Sequence, residues 1–260
     1  MGITPALNLD AGIWVTRDAL MLDIDAEAWT RTRVHLEKLL VADDVEFEDA
    51  AVLVVIDVEG PAALDATGAA SLATWSFIEV GGSLVGNLPR YGGPAASVVA
   101  RRDSIDLTIA AIIAKAPGSR RIDASMLETI RIENGVARVN VDTSDKTIAL
   151  EARLNRSISF NKGCYLGQET IERATARGGL KKRMFGLKFH GEGLPAADAV
   201  LTLAGKEVGR LTSAVQSPRF GAIGLAILHH SAWTPGTELK VGEGGSAIVS
   251  DLPFAREKTS

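Results

Sequence analysis

Ile13 to Val15 and Ala19 to Ile24 are short apolar stretches separated by the polar Thr16-Arg17-Asp18, a pattern that predicts two strands joined by a turn. From Glu27 to Val41 the spacing becomes helical. Trp29, Arg33, Leu36 and Leu40 fall on one face, with the Arg33 stem able to cover apolar surface. Asp49 to Val58 is a β-rich run ending at Glu59-Gly60-Pro61, and proline there suits the first turn of a helix beginning over Pro61 to Leu64. Glycine and proline punctuate Gly81 to Gly93, which reads as short strands and a loop. A second helix is expected from Asp123 to Glu133, capped by Asp123, stopped by Gly135 and apolar at Met126, Leu127 and Ile130.

After Leu187 the texture changes. Short alternating segments occur at Val200 to Leu203, Val208 to Val215, Ala222 to Leu228, Glu238 to Val241 and Ala247 to Val249. Turn signals separate them: Gly205-Lys206, Ser217-Pro218, Thr234-Pro235-Gly236 and Gly242 to Gly245. This predicts a small antiparallel barrel or sandwich following a mixed α/β portion, an α+β chain with domains at 1–187 and 188–260. No fixed-period repeat is present.

Composition narrows the function classes. The 260 residues, 46% apolar and 23% charged, are enough for two layered domains and argue against disorder. Twenty-eight basic against 32 acidic side chains disfavour nucleic acid as the main partner. One cysteine, Cys164, forms no internal disulfide and no Cys-rich metal site. The histidines are scattered, apart from His229-His230, whose side chains diverge on a regular element, so no metal site is expected. The amino terminus lacks a cationic segment followed by an apolar one, and no apolar run is long enough to span a bilayer; the sequence reads as cytosolic.

The chemistry concentrates in Lys162-Gly163-Cys164-Tyr165-Leu166-Gly167-Gln168-Glu169, running on to Arg173. Gln168 to Ala176 contains good helix formers, which puts Cys164 just before a helix start. Backbone N–H groups, the helix dipole and Lys162 would there favour a thiolate, a nucleophile or soft-metal ligand. Glu169 and Arg173 stand four apart, a spacing that lets them pair. The plain alternative is a small buried cysteine in a tight turn. Arg173, Arg177, Lys181, Lys182 and Arg183 form a charge run that ordinarily marks a solvated face.

The pattern Lys-Gly-Cys-Tyr-x-Gly-Gln-Glu-x-x-x-Arg at Lys162 to Arg173 resembles the signature of the YgfZ family, relatives of the glycine cleavage T-protein. Thr129 to Val136 resembles the superfamily's Arg-Ile-Glu-x-Gly segment and Glu59 to Ala62 its Gly-Pro-x-Ala turn. Gly209 to Ser213 with Gly224-Leu225-Ala226 resembles its C-terminal barrel. The likeness runs from about Ile13 onward. It implies a T-protein-like folate-binding α/β core followed by a small antiparallel β-barrel. It also leads one to expect a further amino-terminal stretch ahead of Ile13, which this chain does not show.

The resemblance implies a tetrahydrofolate site with Glu133 as the pterin's acceptor, since two adjacent pterin N–H donors match two carboxylate oxygens. Read without it, Glu133 is a solvated last-turn glutamate. Lys162, Gln168, Glu169 and Arg173 are the further cofactor-binding candidates, and the charge run is a candidate for the folate's glutamate tail or for tRNA phosphate. Cys164 is the working residue, either ligating a transient iron–sulfur cluster or carrying a covalent adduct. The implied function is an accessory role in iron–sulfur cluster assembly or repair, with iron–sulfur client or assembly proteins as partners and an effect on tRNA modification. The alternative is a folate-dependent aminomethyltransferase or another one-carbon enzyme. The position of the T-protein's catalytic aspartate falls near Ala11 or Gly12, with Asp10 the nearest carboxylate, which favours the accessory role. Gly81 to Gly86 is neither a P-loop nor a nucleophile elbow, and no His-Glu-x-x-His helix or dinucleotide fingerprint occurs.

Overall fold

A computed structural model describes residues 9–42, 44–165, 167–176, 179–191 and 193–255. It divides into two compact units: Ala11–Ile122, and the described residues from Asp123 onward together with Leu9 and Asp10.

The first unit opens with an antiparallel hairpin of β1 (Gly12–Val15) and β2 (Leu20–Asp23). Thr16 closes its turn, donating to the Ala19 carbonyl at 2.8 Å and accepting from the Ala19 N–H at 3.1 Å. Trp14 anchors the hairpin, packing edge-on to Phe77 at 5.2 Å within a cluster holding Leu84, Leu88 and Val99. Helix α1 (Ala26–Glu37) ends short of the expected Val41, and Arg33 turns to Glu37 at 2.8 Å.

β3 (Leu53–Glu59) leads past Pro61 into the short helix α2 (Ala63–Thr67). β4 (Ser76–Val80) and β5 (Ser83–Asn87) are joined by Gly81-Gly82, both at positive φ, as a two-residue hairpin turn of matching twist requires. β6 (Ala95–Arg101) and α3 (Ile105–Lys115) complete the unit. The antiparallel sheet runs β3-β6-β5-β4. Small residues let the helices approach it: Ala63, Ala66, Ala96, Ala100 and Ala116 share a core with Val85, Val98 and Ile112.

The second unit begins with α4 (Ala124–Glu133), and both of its expected end signals operate. The Asp123 carboxylate accepts the Met126 N–H at 2.9 Å, and Gly135 takes φ +69° just past the last turn. α5 (Gln168–Ala176) matches its expected span. Six strands follow: β7 (Lys182–His190), β8 (Val200–Leu203), β9 (Lys206–Ser217), β10 (Gly221–His229), β11 (Glu238–Val241) and β12 (Gly245–Ser250). They close into a barrel in the order β10-β7-β12-β11-β8-β9, antiparallel throughout, which resolves barrel against sandwich and leaves no open edge. Residue 187 falls inside β7, so the barrel takes its first strand from Lys182.

The barrel interior is filled by Leu187, Leu201, Leu211, Leu228, Leu239 and Val249 among others. β10 is buried on both faces. Ala226 and Leu228 belong to that interior, whereas Ile223 and Leu225 pack with Ile132, Met184 and Phe254, seating α4 on the outside of the barrel. No helix among the described residues is long and apolar enough to cross a membrane.

Candidate functional site

Two rows of polar contacts hold α4 to β9. Arg131, 3% exposed, reaches the fully buried Asp142 at 2.6 Å and donates to Ser213 Oγ at 2.8 Å. Glu133 lies two residues on and is 5% exposed. Its Oε1 accepts from Ser217 Oγ at 2.6 Å and its Oε2 from Arg219 Nη1 at 3.0 Å. Ser217 Oγ in turn accepts the Arg219 and Phe220 N–H groups at 3.0 Å, which fixes the turn after β9. Glu133 is therefore not the solvated last-turn glutamate of the plain reading. Ser217 is buried, whereas the Arg219 side chain is 56% exposed.

The thiol of Cys164 is free and exposed, which excludes the small buried cysteine of the plain reading. Gly167 accepts the Thr170 and Ile171 N–H groups, so α5 is capped there and Cys164 stands three residues ahead of the cap. Lys162 places its ammonium 4.8 Å from the Tyr165 ring centroid, a cation–π contact across the cysteine's own turn. Gln168 donates to Glu172 at 2.7 Å, and Glu169 pairs with Arg173 at 2.8 Å as their spacing predicts. Among the described residues no hydrogen bond or ion pair joins this segment to Glu133. Leu166 and Arg177 lie outside the described residues; Lys181 and Lys182 are exposed. Asp10, the nearest carboxylate to the T-protein aspartate position, accepts from Ser157 at 3.1 Å and lies 3.5 Å from Arg156.

The first unit holds a polar cluster that the sequence reading missed. Asp57 Oδ1 accepts from Ser97 Oγ at 2.5 Å and lies 3.5 Å from Arg90 Nε, while Arg90 also pairs with Asp23. Removal from water raises the Asp57 pKa against the opposing pull of Ser97 and Arg90. Burial, with a smaller contribution from Asp57, pushes Glu59 up to about 8, and its Oε1 is buried without a hydrogen-bond partner among the described residues. Tyr91 is raised as well, by burial first and then by Asp57. A signal was present: Asp57 and Glu59 are alternate residues, hence on one face, of an otherwise apolar strand.

Comparison with known proteins agrees with this architecture. Residues 182–255 match the glycine cleavage T-protein C-terminal barrel domain. A chloroplastic Arabidopsis thaliana protein named as a transferase is 39% identical over 128 residues, 49% of this chain and 29% of that protein. An aminomethyltransferase of Rippkaea orientalis is 34% identical over 134 residues, 50% of this chain and 36% of the enzyme. The match thus spans about a third of the length of these relatives. The crystal structure of the glycine cleavage system aminomethyltransferase T from Bartonella henselae superposes with a TM-score of 0.78 at 19% identity, covering 98% of this chain and 74% of that one. The chain has the T-protein fold with a C-terminal closed antiparallel barrel, and these likenesses support a place in the glycine cleavage T-protein superfamily.

Proposed function

We propose that this chain is a folate-binding accessory protein of the YgfZ type that supports iron–sulfur cluster assembly or repair, and through it tRNA modification, with Cys164 as the working thiol. The observation that carries this reading is the exposure of Cys164 at the front of α5 on a T-protein fold. A cysteine serving only as a small hydrophobe belongs in a core, whereas this one is open to a cluster, a client protein or an electrophile.

The likeness to aminomethyltransferases supports a folate-related one-carbon role in the broad sense, and the two acceptor positions that Glu133 leaves unused suit a pterin. An ionised carboxylate offers about four acceptor positions, of which Ser217 and Arg219 occupy two on Glu133. The solvent-reaching Arg219 is the contact that a pterin would displace. Glu133 would then hold the pterin, and the exposed Lys162 and Arg173 are cations suited to the anionic glutamate tail. Gln168 and Glu169, at the start of α5, would be further contacts for the cofactor. A bound tetrahydrofolate supplies a carrier for a one-carbon group.

The test has two parts. The purified chain, with and without Cys164→Ser, is titrated with tetrahydrofolate, and both forms are returned to cells lacking the gene. Saturable folate binding by both, with recovery of iron–sulfur enzyme activity by the cysteine form alone, is the expected result. Full recovery by Cys164→Ser, or no folate binding, overturns the reading. Turnover of a methylamine donor with tetrahydrofolate by Cys164→Ser would instead establish the aminomethyltransferase alternative.

A further inference from the structure

Beside the end of α4 the second unit contains a cavity of about 220 Å³, bordered by Gly135, Ala152, Arg153, Arg156, Leu252 and Pro253 among others. At roughly 30 Å³ per water it has room for about seven waters, which suits a small organic molecule. Arg153 and Arg156 are the two cations that line it, and half-buried Arg153 has three features that structural duty alone does not require.

First, Arg153 sits at φ +58°, a left-handed conformation uncommon for a residue with a β-carbon. Strain of this kind concentrates at binding and catalytic positions. Second, the guanidinium is only partly used. Nε donates to the Met184 carbonyl at 2.7 Å, Nη1 reaches the Leu252 carbonyl at 3.4 Å, and the group lies 5.0 Å from the Phe185 ring centroid. An arginine has five N–H donors in a planar fork, of which these two bonds use two. Third, no carboxylate lies within ion-pair distance of it among the described residues. Burial first and then Arg183 lower its pKa from the usual arginine value against a smaller opposing pull from Asp251, a direction that an anion in the cavity would oppose. The rest of the lining is mixed: Ala152, Leu154 and Leu252 supply apolar surface, while Asn134 and Arg156 are polar.

We infer that this cavity is a binding site for a small organic carboxylate, held by the Arg153 guanidinium with its apolar part against Leu252 and Leu154. A planar fork matches a carboxylate in two-point fashion, and the apolar wall distinguishes such a ligand from a bare inorganic anion. This site stands independently of the folate reading, because the probe below has no pterin.

The test titrates the full chain with benzoate, with neutral benzamide and inorganic phosphate as comparisons, and follows amide shifts by nuclear magnetic resonance. Saturable benzoate shifts at Gly135, Ala152, Arg153 and Leu252 are expected, with benzamide binding at least about tenfold more weakly, as loss of a charge-assisted bond implies. Arg153→Gln should weaken benzoate by about tenfold as well. Should that variant fail to fold, the wild-type shift map and the benzamide comparison still decide. No saturation, shifts confined to other residues, equal binding of benzamide, or tighter binding of phosphate than of benzoate would each overturn the assignment.

Discussion

Arg131 and Asp142, eleven residues apart in the chain, meet at 2.6 Å with side chains 3% and 0% exposed. Asp142 is satisfied on every side. Oδ2 takes Arg131 and the Arg138 N–H, and Oδ1 takes the Thr212 and Ser213 hydroxyls. One carboxylate thus ties α4, the segment after it and β9 into a single body. Breaking a buried ion pair from one side leaves a charge without compensation. Asp142→Ala is therefore expected to cost about 3–5 kcal/mol in urea unfolding. Replacing both partners together, as Arg131→Met with Asp142→Leu, removes the uncompensated charge but still leaves the Arg138 N–H and the Thr212 and Ser213 hydroxyls without this acceptor, so it should recover only part of that loss. A loss below about 1 kcal/mol in the single variant would show that the pair is not the tie described.

Glu59 makes the stability of the first unit pH-dependent in a direction opposite to that of a salt-bridged carboxylate. The free carboxyl titrates near 4.5 and the folded one at about 8. Between those values the folded chain keeps a proton that the unfolded chain has lost. The contribution of this group is fully present below about pH 4.5 and is lost as pH rises through about 8. Asp57 is raised too and acts in the same sense, while the lowered pKa values of Asp123 and Glu128 act below this window. Urea midpoints measured at about pH 5.5 and about pH 8.5 should fall for the wild type and fall distinctly less for Glu59→Gln. An identical fall in both proteins would remove Glu59 as the cause.

What the sequence made legible was what rests on neighbours. The Asp123 cap and the Gly135 stop act within a few residues of the helix they bound, and Glu169 and Arg173 pair within one turn. The antiparallel strands after Leu187 were readable because turn residues separate them. β6 was not: Ala95 to Ala100 is buried throughout, so it shows no alternation of apolar and polar positions. β7 was obscured by the lysines and arginine of Lys182-Arg183-Met184-Phe185-Gly186-Leu187-Lys188. Ser213, which accepts from Arg131, and Ser217 and Arg219, the partners of Glu133, lie 82 to 86 residues away on β9 and the turn after it, a separation that local pattern does not encode. The exposure of Cys164 likewise depends on tertiary packing, although its position ahead of α5 was readable from helix-forming residues.

Gly135 is constrained twice. Its φ of +69° disfavours any β-carbon, and a β-carbon built there would lie 2.6 Å from Leu252 Cβ. The approach is part of how the chain's last described residues close over α4, where the Phe254 N–H donates to the Glu133 carbonyl at 2.9 Å. Gly135→Ala should destabilise by about 1–3 kcal/mol from backbone strain alone, with the clash adding to it. Leu252→Gly in the same background removes that Cβ, so it should relieve the clash and restore part of the loss. If the double variant is no more stable than Gly135→Ala alone, the close approach is not the source.

The pairing of Glu133 with one buried hydroxyl and one exposed guanidinium separates a structural role from a binding one. Ser217→Ala removes the inward contact and leaves a buried acceptor short of a partner, so its main effect should be on stability, about 1–3 kcal/mol. Arg219→Ala removes a contact that solvent can replace, so stability should change little while the carboxylate becomes easier to reach. Under the folate reading that variant should bind tetrahydrofolate at least as tightly as the wild type. Glu133→Gln keeps the shape but loses one acceptor and the charge, and should bind it about tenfold or more weakly. Isothermal titration of the three variants, each checked for its unfolding midpoint, distinguishes these effects. If Arg219→Ala abolishes folate binding while Glu133→Gln preserves it, the arginine is the ligand residue and the glutamate serves only to position it.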